Sequence, residues 1–261
     1  QYSLIYRLTQ IDGIDDNTAN KIVDNDTSLT YLELDSNKIT DEGASSIADA
    51  LKDNKTLTHL ILISNEITDV GAASIADALK DNKTLTHLIL NNHNITDTGA
   101  ASLAEALKVN TVLTYLDLRS NDIGDEGVSS IAEALKVNTP LNYLELRDNN
   151  IGDVGVNKLA GVFLIKNMHS ISLEDNNISD AGMANFNNIK EYCKRGYRPN
   201  VCVLSDDGST VLMYGCTDDS ACNYDGNANT DDGSCTYPSQ YHDCNGNCLE
   251  DVDGDGVCDE L

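Results

Sequence analysis

Apolar and polar positions follow a 28-residue period that returns, almost letter for letter, along most of the chain. The copy beginning at Leu29, LTYLELDSNKITDEGASSIADALKDNKT, is answered from Leu57, Leu85, Leu113 and Leu141, and a sixth copy of 27 residues begins at Met168. Within a copy, LxxLxL (Leu29, Leu32, Leu34) alternates inward leucine with outward polar residues, as a short parallel strand does. Ala44, Ile47, Ala48 and Leu51 then share one face at helical spacing, with alanines small enough for helices to stack. The pattern predicts one strand and one helix per copy, stacked as a solenoid, which places function on a repeated surface rather than in one pocket.

Fixed polar positions punctuate each copy. Asn follows the strand at 37, 65, 121, 149 and 176, with His93 as the exception. An amide there has donors and an acceptor for backbone groups where the chain leaves the strand, and an imidazole replaces only part of that. After a buried Ile comes Asp at 41, 69, 97, 125, 153 and 180, placed to cap free amides and to match the positive end of the helix dipole. Gly43 and its equivalents 71, 99, 127, 155 and 182 are expected to let the helix approach its neighbour.

The string LxxLxLxxNxIxDxGAxxIAxAL resembles the leucine-rich repeats of the ribonuclease-inhibitor-like type, over roughly residues 1 to 190. The resemblance implies an α/β solenoid: a horseshoe with a parallel sheet inside and helices outside. It also implies a role in binding proteins and no catalysis. Shifting back one period sets Gln1 opposite Leu29, Leu4 opposite Leu32, Tyr6 opposite Leu34 and Ile11 opposite Ile39. Residues 1–28 therefore read as a degenerate N-terminal capping repeat, whose strand (Leu4, Ile5, Tyr6, Leu8) leaves an edge open to pairing. Residues 29–192 hold the repeats and a closing helix through Tyr192, and residues 193–261 form a small disulfide-rich C-terminal module.

Charge narrows the partners. A net charge of -26 with 17 scattered Lys and Arg excludes nucleic acid and anionic lipid, and favours cations. The longest apolar run, Leu159 to Ile165, is far short of the roughly 20 residues that a membrane span needs. All eight cysteines (Cys193, Cys202, Cys216, Cys222, Cys235, Cys244, Cys248 and Cys258) fall in the C-terminal module, the signature of disulfides and of a secreted or cell-surface protein. Zinc is the competing reading, but no CxxC pair is present. The start at Gln1 is read as that of a processed chain.

Within the module, VCVLSDDGSTVLMYGC reads as a hairpin about a DDG turn. GCTDDSACNYDGNANTDDGSCTYP resembles a Cys-rich module found at the ends of secreted and surface proteins. DVDGDGVCDEL resembles the DxDxDG calcium loops of EF-hands, dockerins and thrombospondin type 3 repeats. That resemblance makes Asp251, Asp253, Asp255 and Asp259 side-chain ligands of calcium and Val257 a carbonyl ligand; the closing Glu of an EF-hand would fall beyond Leu261. A possible second metal cluster is Asp225, Asn227, Asn229, Asp231 and Asp232, residues that also suit ordinary turns. Glycosylation sequons occur at Asn25, Asn54, Asn82, Asn94 and Asn177, although DNKT is also the repeat's own turn.

Three columns of outward strand positions cross the repeats. The first is Tyr31, His59, His87, Tyr115, Tyr143 and Ser170; the second Glu33, Ile61, Ile89, Asp117, Glu145 and Ser172; the third Asp35, Ile63, Asn91, Arg119, Arg147 and Glu174. Ile61, Ile63 and Ile89 are expected to form an exposed apolar patch beside aromatic rings and the Arg pair, where interface hot spots concentrate. No nucleophile, base and orienting acid occur together, so the expected function is non-enzymatic. It is that of a calcium-stabilised extracellular protein whose concave face binds a protein or glycan. Two other readings stand beside it: a subunit that joins copies of itself head to tail, through the N-terminal strand and the C-terminal module with its Val201 to Tyr214 hairpin, into a filament or surface layer, and an intracellular scaffold.

Overall fold

A computed structural model describes residues 2–162, 168–194, 202–204, 211–224, 226, 228, 230–238 and 243–245. The chain divides into two compact units, Gln1–Lys194 and Arg195–Leu261. In the first, α1 (Tyr2–Leu8) and α2 (Asp16–Val23) precede a strict alternation: β1 (Tyr31–Glu33), α3 (Asp41–Asp53), β2 (His59–Ile61), α4 (Asp69–Asp81), β3 (His87–Ile89), α5 (Asp97–Leu107), β4 (Tyr115–Asp117), α6 (Asp125–Leu135), β5 (Tyr143–Glu145), α7 (Asp153–Val162), β6 (Ser170–Ser172) and α8 (Asp180–Lys194). Among the described residues the strands β1 to β6 form one parallel sheet in sequence order. The register advances one period per strand, His59 pairing with Tyr31 and His87 with His59. Leucines such as Leu60, Leu88 and Leu116 are fully buried between sheet and helices; each contributes about 1.5–3 kcal/mol.

Three polar ladders join each repeat to the next. In the first, Asn65 Nδ2 donates to the carbonyls of Leu62 (2.8 Å) and of Leu34 one repeat earlier (2.9 Å), while its Oδ1 accepts from the amides of Asn37 (2.9 Å) and Ile39 (3.0 Å). Asn121, Asn149 and Asn176 likewise donate to two carbonyls and accept from the amides of Ile95, Ile123 and Ile151. The residue before each sits in the left-handed region, for example Ser64 (φ 55°) and Ser120 (φ 51°). That conformation is costly for a residue with a Cβ, and the asparagine bonds hold it in place.

In the second ladder the aspartates cap free amides as expected, but at the start of the next repeat's helix. Asp41 already occupies the first turn of α3, and its carboxylate serves the following repeat instead. Oδ1 accepts from the amides of Thr68 (2.8 Å) and Gly71 (2.9 Å), and Oδ2 from the Thr68 hydroxyl (2.6 Å). Asp69, Asp97 and Asp125 each accept from the two corresponding amides of the next repeat, and Asp153 from the amide and hydroxyl of Ser179, whose oxygen takes the Gly182 amide. The conserved spacing of glycine follows from this contact, since a Cβ on Gly71 would lie 2.6 Å from Asp41 Oδ1. The third ladder lies at the helix-to-strand turn, where buried Asn82 donates to the carbonyls of Leu51 (2.8 Å) and Asn54 (3.2 Å) and accepts from the amide of Leu85 (2.8 Å).

The N-terminal segment is helical, not a strand. Leu4, Ile5 and Leu8 share a face at helical spacing, where alternation would put Ile5 opposite the other two, and they turn inward while Tyr2 and Tyr6 face solvent. A strand in this segment would need a partner for its backbone donors and acceptors, whereas a helix satisfies most of them internally. Arg7 bonds Asp49 (2.9 Å) and ties α1 to α3.

His93, the exception in the first ladder, is buried with Nδ1 3.0 Å from the carbonyl oxygen of Asn65 and Nε2 2.8 Å from that of Leu62. A neutral imidazole has one N–H, so one nitrogen lone pair faces an oxygen, and the ring brings no oxygen to the amide of Ile67. Burial, opposed by the two carbonyl contacts, lowers its pKa. The unfolded chain therefore takes up this proton first. The stability due to neutral His93 is complete above the unfolded value of about 6.5 and is lost as pH falls through it toward the lowered folded value. His93→Asn is expected to raise the unfolding free energy by about 1–2 kcal/mol at neutral pH. Urea midpoints of the two proteins should diverge further at pH about 5; equal midpoints would refute the account.

In the second unit, β7 (Cys202–Leu204) pairs antiparallel with β8 (Val211–Gly215), forming the expected hairpin, and β9 (Thr230–Asp231) adds parallel to β8. Disulfides join Cys216 to Cys235 and Cys222 to Cys244. For Cys193 and Cys202 the backbone alone is described, and Cys248 and Cys258 lie outside the described residues.

Candidate functional site

The first outward column is a continuous stack of rings. Tyr31 to His59 is 5.7 Å between centroids, His59 to His87 4.1 Å, His87 to Tyr115 5.4 Å, Tyr115 to Tyr143 6.1 Å and Tyr143 to His169 5.2 Å. Cross-strand register places Ser170 beside Tyr143, and the preceding residue, His169, supplies the sixth ring. Column reading missed His169; the small Ser170 in a column of rings was the available signal. The His59–His87, His87–Tyr115 and Tyr143–His169 pairs are stacked and the other two are tilted by about 35°, so His87 is the ring stacked on both faces. Tyr31 and Tyr143 are 49% and 40% exposed.

The tautomers of the two stacked histidines follow from their neighbours. The Thr58 hydroxyl donates to the Thr30 carbonyl (2.9 Å), leaving its oxygen to accept from His59 Nδ1 (2.9 Å). Thr86 does the same with the Thr58 carbonyl (3.1 Å) and His87 Nδ1 (2.9 Å). Both protons are thus held at Nδ1, and both Nε2 atoms are acceptors. Burial, and the adjacent His59, lower the pKa of His87.

The second and third columns differ from expectation. Ile61 is only 7% exposed and Ile63 and Ile89 are half-buried, because strands about 4.8 Å apart press outward side chains against one another. The apolar patch is therefore narrower than expected, with Ile63 and Ile89 partly exposed and Ile61 covered. Asp117 is fully buried, and its carboxylate accepts from Arg119 Nε (3.0 Å) and a terminal guanidinium nitrogen (2.5 Å). Arg147 pairs with Asp175 (2.7 Å). Both guanidinium charges are therefore committed. Glu33 and Asp35 stand together at the β1 end, where burial and then the Glu33 charge raise the Asp35 pKa. Asn91 Oδ1 is the one buried side-chain acceptor without a donor among the described residues.

The calcium loop residues Asp251, Asp253, Asp255, Val257 and Asp259 lie outside the described residues, as do Asp225, Asn227 and Asn229 of the second cluster. Asp231 and Asp232 are described, and each accepts from the amide two residues on, Gly233 (3.0 Å) and Ser234 (2.9 Å), which is turn geometry. Among the described residues no group of three potential ligands could hold a metal. Of the sequons, Asn54 and Asn82 are buried and bonded within the third ladder, which closes them to a glycan. Asn25 is half-buried and accepts from the Lys55 amide, while Asn94 and Asn177 are exposed. No described helix is long and apolar enough to cross a membrane.

A family model described as a leucine-rich repeat matches residues 25–48, 53–76, 81–104, 109–132, 137–160 and 165–186. No curated protein matches the sequence. Among solved structures, actin-binding site 2 of leiomodin-1 is similar at 22% identity with a TM-score of 0.50, over 70% of this chain and 91% of that one. A tropomodulin C-terminal domain of Caenorhabditis elegans gives 0.42 at 15% identity, over 67% and 90%. At this identity the likeness to leiomodin-1 is one of fold alone.

Proposed function

Because the chain belongs to the leucine-rich repeat family, we propose that it is a non-enzymatic interaction protein whose sheet face binds a protein partner. The observation that carries this reading is the six-ring stack flanked by carboxylates on one face of the sheet. A glycan is the weaker ligand, since sugars favour open ring faces and His59, His87 and Tyr115 are stacked on one another. The two disulfides support a secreted or cell-surface protein. Calcium, held by Asp251, Asp253, Asp255, Asp259 and the Val257 carbonyl, would stabilise the C-terminal module; hard carboxylate oxygens suit that ion. Self-assembly loses the N-terminal strand, one of the two joints proposed for it, and the sheet edge on that side, β1, is three residues long and carries Glu33.

Photocrosslinking tests the face. With the crosslinker at position 143, on the sheet side, the partner should be captured; with it at position 77, on α4, it should not. Capture from 77 alone would overturn the assignment.

A further inference from the structure

We propose that the partner presents a cationic segment, whose Arg or Lys side chains donate to the ring edges of His59 and His87 and to the carboxylates of Glu33 and Asp35. This inference rests on the sheet face being the binding surface and adds the chemistry of what it takes. The argument is one of unmatched hydrogen-bonding capacity. The Thr58 and Thr86 hydroxyls fix both histidine protons at Nδ1, so adjacent repeats present two Nε2 lone pairs with no protein donor among the described residues.

Charge points the same way. In the three columns the cations are Arg119 and Arg147, and both are spent on Asp117 and Asp175. Glu33 and Asp35 have no cationic partner among the described residues. Tyr31 donates to Glu33 (3.2 Å) but leaves its charge in place. An anionic ligand would meet this field with repulsion. A guanidinium or ammonium group supplies the donors and the charge together. The stacked rings contribute rigidity, holding the acceptors in fixed register so that little side-chain entropy is lost on binding.

The test is fluorescence anisotropy with the full chain and labelled octa-arginine, octa-glutamate and a neutral Gly-Ser peptide, at about 150 mM salt, where distant charges are screened. His59→Phe with His87→Phe keeps the rings and removes both Nε2 acceptors. Asp49→Asn with Asp77→Asn removes two acids from the helix side, as the control for diffuse attraction to an acidic chain. Octa-arginine should bind the native protein, weaken about tenfold or more in the histidine pair and change less than threefold in the control. The inference is overturned if octa-arginine does not bind, or if its binding falls only in the control pair. Preference for octa-glutamate that is lost in the histidine pair would overturn the cationic partner while leaving the sheet face as the binding surface. Failure of that surface itself would appear separately, as crosslinking from position 77 alone.

Discussion

Asn65→Ala should lower the unfolding free energy by about 4 kcal/mol, the largest loss expected from a single ladder substitution. The side chain satisfies two amides and two carbonyls, at Asn37, Ile39, Leu34 and Leu62. Alanine supplies none of these bonds. Each stranded group costs about 1–3 kcal/mol, and water entering the vacated space recovers part of the total. The left-handed turn at Ser64 also loses its support. Asn65→His should cost less, because His93 shows that a ring in this position still reaches a carbonyl one repeat back. Urea unfolding followed by circular dichroism would read the order native, His, Ala; an alanine protein within about 1 kcal/mol of native would remove the ladder from the account of stability.

Gly127→Ala sets two effects of opposite sign against each other. Helix propensity favours alanine by about 1 kcal/mol in a helix such as α6. Yet the new Cβ would lie 2.6 Å from Asp97 Oδ1 and 2.9 Å from its Cα. A backbone atom cannot rotate away, so the clash either parts α5 from α6 or drives out the carboxylate that accepts from Gly124 (2.6 Å) and Gly127 (2.9 Å). The clash wins, and a net loss of about 2–3 kcal/mol is expected. Gly124→Thr should do the reverse. Its backbone is extended (φ -103°, ψ -161°), as at Thr68 and Thr96, whose hydroxyls donate to the preceding Asp at 2.6 Å. A gain of about 1 kcal/mol is expected there. Two glycines three residues apart, with opposite responses in the same unfolding assay, would locate the constraint in the Asp97 carboxylate.

The period made the fold legible because each repeat states the same strand, turn and helix again. It did not reveal which repeat a polar side chain serves: Asp41 is the first residue of its own helix, yet its acceptor is used by Thr68 and Gly71. The ring column was readable from Tyr31 to Tyr143, because outward strand positions keep their register across parallel strands. Exposure was not readable, and Ile61 and Asp117 are outward but covered by their neighbours. At residues 2–8 the period did not carry over, because the alternation of Leu4, Tyr6 and Leu8 competes with the helical spacing of Leu4, Ile5 and Leu8, while Ile11 and α2 keep their places in the repeat.

The ladders leave the length of the array unfixed. Removing residues 57–84 would set Asp41 before Thr96 and Gly99 in the relation it now holds to Thr68 and Gly71, and Tyr31 beside His87. Every junction would keep its chemistry. Recombination between such similar coding segments can therefore add or delete whole periods without inventing an interface. The reach of the ring edge changes in steps of about 4.8 Å, while the groups at its two ends stay the same.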